Sequence, residues 1–195
     1  MDLGPEHGDG FKDVRIPEFS SFLSATKGKI PVVVEFKFSA NTNLVARTVE
    51  AVERHAMADD VIMMSLDVAD IREVQRLAPE MKVGYFASVE LGDLSRLDVD
   101  VVGLKDYLAT REMVRRLHDQ DIQVYVWTID DQQRMVELME LGVDGLITND
   151  PDLAFRTIEA FKQLSSAGRT LLKFRRFWAD IRGSESVMKE VRRGD

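Results

Sequence analysis

Glu35 and Lys37 stand two residues apart in the run Pro31-Val32-Val33-Val34-Glu35-Phe36-Lys37. On an extended strand this spacing points both side chains to one face and Phe36 to the other, so a carboxylate and an ammonium share a surface. A carboxylate is a hard oxygen donor for calcium or magnesium. An ammonium can neutralise the charge that builds on the non-bridging oxygens of a phosphoryl group during hydrolysis. Taken alone, the spacing is met more simply by a rim or buried ion pair.

Trp127 ends the run Val124-Tyr125-Val126-Trp127-Thr128, where it could wall a ligand pocket or fill the space between strands. Thr148 and Asn149 close another short apolar run. Strand ends of this kind hold phosphate on loop amides and hydroxyls in many parallel barrels. The following Asp150-Pro151, however, has the form of an N-cap with proline at the first helical position, so turn and cap is the reading adopted. Of the three histidines, His55 in Arg54-His55-Ala56 and His118 among Arg115, Arg116, Asp119 and Gln120 read as solvated helix ends. His7 lies in the loop-like Pro5-Glu6-His7-Gly8-Asp9.

These groups need a scaffold, and the chain spells one out. Apolar, β-branched runs of strand length fall at residues 32–36, 61–66, 83–86, 101–104, 124–127 and 145–147. They are continuous rather than alternating, as expected for parallel strands buried on both faces. Helical patterns fill most of the gaps: Leu44, Val45, Val49 and Val52 within 42–57; Met113, Val114 and Leu117; and Met135, Leu138, Met139 and Leu141. Gly142 reads as the residue just past a helix end, and Asp150-Pro151 starts a last helix running to about Leu164. The repeated unit is a strand followed by a helix, the unit of a TIM-type (β/α) barrel. Such a barrel closes with eight strands and six are present. Residues 1–16 read as loop, so the first two strands are expected upstream of Met1.

Composition agrees with one α/β domain: 195 residues, 45% hydrophobic, and no cysteine, which excludes disulfides and thiolate metal sites. No apolar run of about 18 residues and no signal-peptide pattern is found, so a cytoplasmic location is expected. The net charge of −8 is uneven. Residues 162–195 carry nine Lys and Arg against four Asp and Glu, +5, which leaves −13 on residues 1–161. An acidic body argues against nucleic acid as its ligand.

Across residues 16–164 the chain resembles the glycerophosphodiester phosphodiesterases. The likeness rests on an ordered set: Ile16-Pro17-Glu18-Phe19, the Glu35-Phe36-Lys37 strand end, Met64-Ser65-Leu66-Asp67, Leu77-Ala78-Pro79 with Val83-Gly84-Tyr85, Val124-Tyr125-Val126-Trp127-Thr128, and Gly142-Val143-Asp144-Gly145-Leu146-Ile147-Thr148. The resemblance implies a barrel that hydrolyses a glycerophosphodiester to glycerol 3-phosphate and an alcohol with a divalent cation, calcium or magnesium. It implies Glu35 as a metal ligand, Lys37 as a phosphate contact and Trp127 as a wall of the glycerol pocket. The family's acid and base belong to a His-Arg-Gly and a His-Asp that have no counterpart in the corresponding places here, and its Pro-Glu-Asn-Thr and paired acids are also missing. No catalytic residue is therefore assigned within this chain.

Two readings follow. Residues 1–166 form either part of a phosphodiesterase barrel, inactive alone, or a non-catalytic phosphate-binding or interaction module that self-associates through an open sheet edge. Residues 167–195 form a basic amphipathic helix and tail, with Leu171, Phe174, Trp178 and Ile181 at helical spacing among Lys173, Arg175, Arg176 and Arg182. Packing on the barrel is the simpler role for that helix. Contact of residues 168–183 with an anionic membrane is the alternative.

Overall fold

A computed structural model describes residues 15–37, 42–87 and 98–164. The expectation of a basic amphipathic helix at 167–195, the loop reading of residues 1–14, and His7 lie outside these residues. Six strands are present: β1 (Val32–Phe36), β2 (Val61–Ser65), β3 (Lys82–Ala87), β4 (Val101–Lys105), β5 (Gln123–Trp127) and β6 (Gly145–Ile147). Six α-helices accompany them: α1 (Phe19–Thr26), α2 (Thr42–Arg54), α3 (Val68–Leu77), α4 (Arg111–His118), α5 (Gln132–Leu141) and α6 (Pro151–Gln163). The strands make one parallel sheet in the order β1-β2-β3-β4-β5-β6, so each pairs with its neighbour in sequence. This is the strand order of a (β/α) barrel, which among the described residues stays open between β1 and β6.

Local chemistry sets the helix boundaries. Asp67, Thr110, Asp131 and Asp150 accept backbone N–H groups from the first turns of α3, α4, α5 and α6, supplying partners that the helix cannot. Pro151 follows the Asp150 cap at the first helical position. Helix α5 ends at Gly142, whose φ of 89° is the left-handed conformation that glycine reaches most cheaply.

On the convex side, Val32, Phe36, Val61, Met63 and Val83 pack under α1, α2 and α3, and Val102, Leu104, Val124 and Val126 pack under α4 and α5. The opposite, concave side carries a smaller cluster: Met64, Phe86 and Val101 are buried there, with Ile62, Tyr125, Trp127 and Ile147 half-buried beside them. Large side chains lie over glycines on that side. Met64 is in register with Gly84, Phe86 with Gly103, and Tyr125 with Gly145. A Cβ built at Gly84 would fall 2.8 Å from Met64, and one at Gly145 would fall 2.7 Å from Tyr125.

Not every strand is buried on both faces. β2, β3 and β4 are nearly so, but β1 and β5 alternate buried with more exposed residues, and β6 is half-buried throughout. The physical reason is the open sheet: strands near an edge keep their convex cover while their concave face loses the wall opposite. At the N-terminal face, Asp100 and Asp144 staple neighbouring strands. The Asp100 carboxylate accepts from Val83 N–H and that of Asp144 from Val124 N–H, each at 2.8 Å.

Candidate functional site

Glu35 and Lys37 reach the C-terminal end of β1 as the period of two requires, and Lys37 Nζ lies 3.4 Å from Glu35 Oε2. The lysine side chain is 67% exposed and the glutamate 31%, so this is a rim pair open to water. Glu35 and Phe36 also line a cavity of about 710 Å³ between α1, β1 and α2, together with Phe19, Arg47 and Thr48. Among the described residues no three His, Asp or Glu come together as a metal ion needs. Calcium takes six to eight oxygens and magnesium six, so one carboxylate paired with a lysine does not suit either ion by itself.

Trp127 stands four strands along the sheet, at the C-terminal end of β5, and has no contact with the Glu35–Lys37 pair. Its indole Nε1–H donates to the Gly103 carbonyl at 3.1 Å, and its ring meets Phe86 edge-on with centroids 5.4 Å apart. The Lys105 ammonium sits 4.0 Å from the ring centroid, in cation–π contact. Lys105 and Trp127 are register partners on β4 and β5. Sequence reasoning did not single out Lys105. A lone lysine at a strand end is commonplace, and only the pairing of β4 with β5 sets it on the tryptophan.

Beyond these strand ends the loops are tied to one another. Asp130, three residues after Trp127, accepts from Thr148 Oγ1, Asn149 N–H and Asn149 Nδ2 at 2.7 to 2.8 Å. Those bonds, the Asn149 backbone first, hold the Asp130 carboxyl below its ordinary value of 3.8. Asp150 caps α6 through Leu153 N–H. The segment is thus turn and helix cap, as read from the sequence, and Thr148 and Asn149 in addition tie it to Asp130. Asp130, which organises them, had not been recognised. Arg134 on α5 similarly holds the exit of β4, with Nε 2.6 Å from Asp106 Oδ1 and Nη1 3.0 Å from Glu137. Burial works against its charge, and the hydrogen bonds to Asp106 and Glu137 outweigh that cost and raise its pKa.

The histidines lie elsewhere. His55 follows α2 with Nδ1 2.7 Å from the Ala51 carbonyl. His118 is exposed at the last residue of α4, as expected for a helix end, and its Nε2 lies 2.8 Å from Asp144 Oδ2. It borders a smaller cavity of about 260 Å³ with Ile122 and Gln123. The contact follows from topology: α4 runs back toward the N-terminal edge of the sheet, where Asp144 stands at the start of β6. The His118-Asp119 dipeptide therefore sits at the opposite end of the sheet from Lys37 and Trp127.

Residues 23–153 match the sequence model of the family described as "Glycerophosphoryl diester phosphodiesterase family". A glycerophosphodiester phosphodiesterase of Caldanaerobacter subterraneus is 22% identical over 78% of this chain and 65% of its own length. Glycerophosphodiester phosphodiesterase GDPD4 of Arabidopsis thaliana is 30% identical over 55% of this chain and 35% of its own. The chain thus spans less than two thirds of either relative. In fold it is similar to an Oleispira antarctica phosphodiesterase solved in complex with the product sn-glycerol-3-phosphate. That likeness has a TM-score of 0.72 at 19% identity and covers 81% of this chain and 67% of that one.

Proposed function

Because the chain belongs to the glycerophosphoryl diester phosphodiesterase family, we propose that its concave face binds a glycerophosphodiester at the C-terminal strand ends. The activity of the whole protein is then phosphoric diester hydrolysis, giving glycerol 3-phosphate and an alcohol. The observation that carries this reading is the placement of Glu35, Lys37 and Trp127 at one end of a parallel sheet in barrel order, the end where barrel active sites lie. Lys37 would offset charge on the non-bridging oxygens, and Trp127 would wall the glycerol pocket. Product-bound Oleispira phosphodiesterase, of similar fold, supports the substrate class.

A divalent cation, calcium or magnesium, belongs to this proposal through the family. Among the described residues Glu35 would be its ligand, and no group of three acidic or histidine side chains there completes a site. The test is turnover of glycerophosphocholine by the purified chain in calcium. Turnover that vanishes in Glu35→Ala makes this chain an enzyme in its own right. Binding without turnover leaves the ligand site but removes the chemistry from this polypeptide.

A second reading is favoured by β1 and β6, which stand at the edges of the sheet formed by the described residues. An unpaired edge presents free N–H and C=O groups to any strand that can reach it, so the domain would act as an interaction module or pair with its own kind. A sedimentation coefficient independent of concentration would oppose that reading. Contact of residues 168–183 with anionic lipid is proposed alongside a lipid-derived substrate. Liposome co-sedimentation that survives removal of residues 168–195 would count against it. No described helix is long and apolar enough to cross a membrane.

A further inference from the structure

We infer that Lys105 sets the charge selectivity of the concave face. It favours diesters whose alcohol carries a negative group and disfavours those whose alcohol is a quaternary ammonium. This rests on the phosphodiester reading above and adds a residue and a preference to it.

Three features of the structure support the inference. The Lys105 ammonium lies over the Trp127 ring, 4.0 Å from its centroid, and that ring is itself fixed by its bond to Gly103 and its edge contact with Phe86. The face of an indole is the natural seat for a trimethylammonium head group. Here one face already carries the protein's own cation. A choline diester that approaches this ring, by displacing Lys105 or from the other side, meets like charge close by.

The second feature is that, among the described residues, Lys105 forms no ion pair. The adjacent carboxylate, Asp106, is held by Arg134 at 2.6 Å through Oδ1, with Arg134 Nη2 also 3.4 Å from the Asp106 carbonyl. A half-buried ammonium over Trp127, with no carboxylate paired to it among the described residues, attracts an anion from a ligand. The third feature is position. Lys105 ends β4 on the same concave side and at the same C-terminal end as Lys37 on β1, so the sheet offers two separate cationic points. Lys37 is partnered by Glu35, whereas among the described residues Lys105 is partnered by the Trp127 π face. A ligand with one phosphodiester and one further anionic group could engage both.

The experiment uses the full chain with Trp178→Phe, so that Trp127 is the only indole. Its fluorescence is titrated with glycerophosphoserine and glycerophosphocholine. The serine diester is expected to bind more tightly. Lys105→Gln should shrink the ratio of the two dissociation constants by about fivefold, the size expected for one exposed charge at close range. Lys105→Arg, which keeps the cation and can stack on the indole, should restore it. Retention of the full ratio in Lys105→Gln, with both ligands still bound, overturns this inference and leaves the phosphodiester reading intact. Failure of both diesters to bind the Lys105-containing chain overturns the phosphodiester reading and this inference together.

Discussion

Trp127 holds three contacts at once: its N–H is spent on Gly103, it meets Phe86 in a T-shaped pair, and Lys105 lies over its face. A ring so constrained is a wall of fixed orientation, and a ligand beside it meets apolar surface and a neighbouring ammonium rather than a free N–H donor. Asp130 does comparable work for the loops. Its folded pKa lies below the unfolded value of 3.8 because Asn149 and Thr148 hydrogen-bond the charged form. The sign follows: the stabilisation is fully present above the unfolded value and is lost as pH falls through the lowered folded one. The melting temperature of Asp130→Asn should therefore lie below that of the parent at neutral pH, with the gap closing as pH drops below about 4. A gap that stays constant over that range would show that the clamp does not depend on ionisation.

Among the elements, strand staples and helix caps should differ in weight. Asp150 caps α6 at an exposed end, and its replacement by alanine is expected to cost about 1 kcal/mol. Asp144 accepts from both the Val124 backbone and His118. Asp144→Ala strands a part-buried N–H and should cost more, about 1–3 kcal/mol. Urea midpoints of the two variants would rank them, and an Asp150→Ala cost above that of Asp144→Ala would contradict this ordering. Elements of this kind were legible from sequence wherever burial is symmetrical. β2, β3 and β4 are covered on both faces and so read as unbroken apolar runs, and the Asp-Pro and Gly signals placed both ends of the last loop–helix unit. Lys105 and Asp130 were not legible, because neither residue type nor spacing marks them. Each acquires its partner only when strands or loops distant in sequence are brought into register. The partner of His118 was hidden for the same reason, since Asp144 lies 26 residues further along.

The molecule as a whole is an acidic body, −13 over residues 1–161, that places two lysines at the concave, C-terminal ends of its sheet. Against that background an anionic ligand is drawn to the face only by local cations, so binding should rest heavily on Lys37. Among the described residues the six strands keep β1 and β6 as the edges of the sheet. The most direct measurement is calorimetric titration of the chain and its Lys37→Met variant with glycerol 3-phosphate and with glycerophosphocholine. Saturable binding of both to the parent, weakened about tenfold or more in Lys37→Met with an unchanged melting temperature, is the predicted result. Equal binding by the two proteins, or none by the parent, would contradict a glycerophosphodiester site at these strand ends.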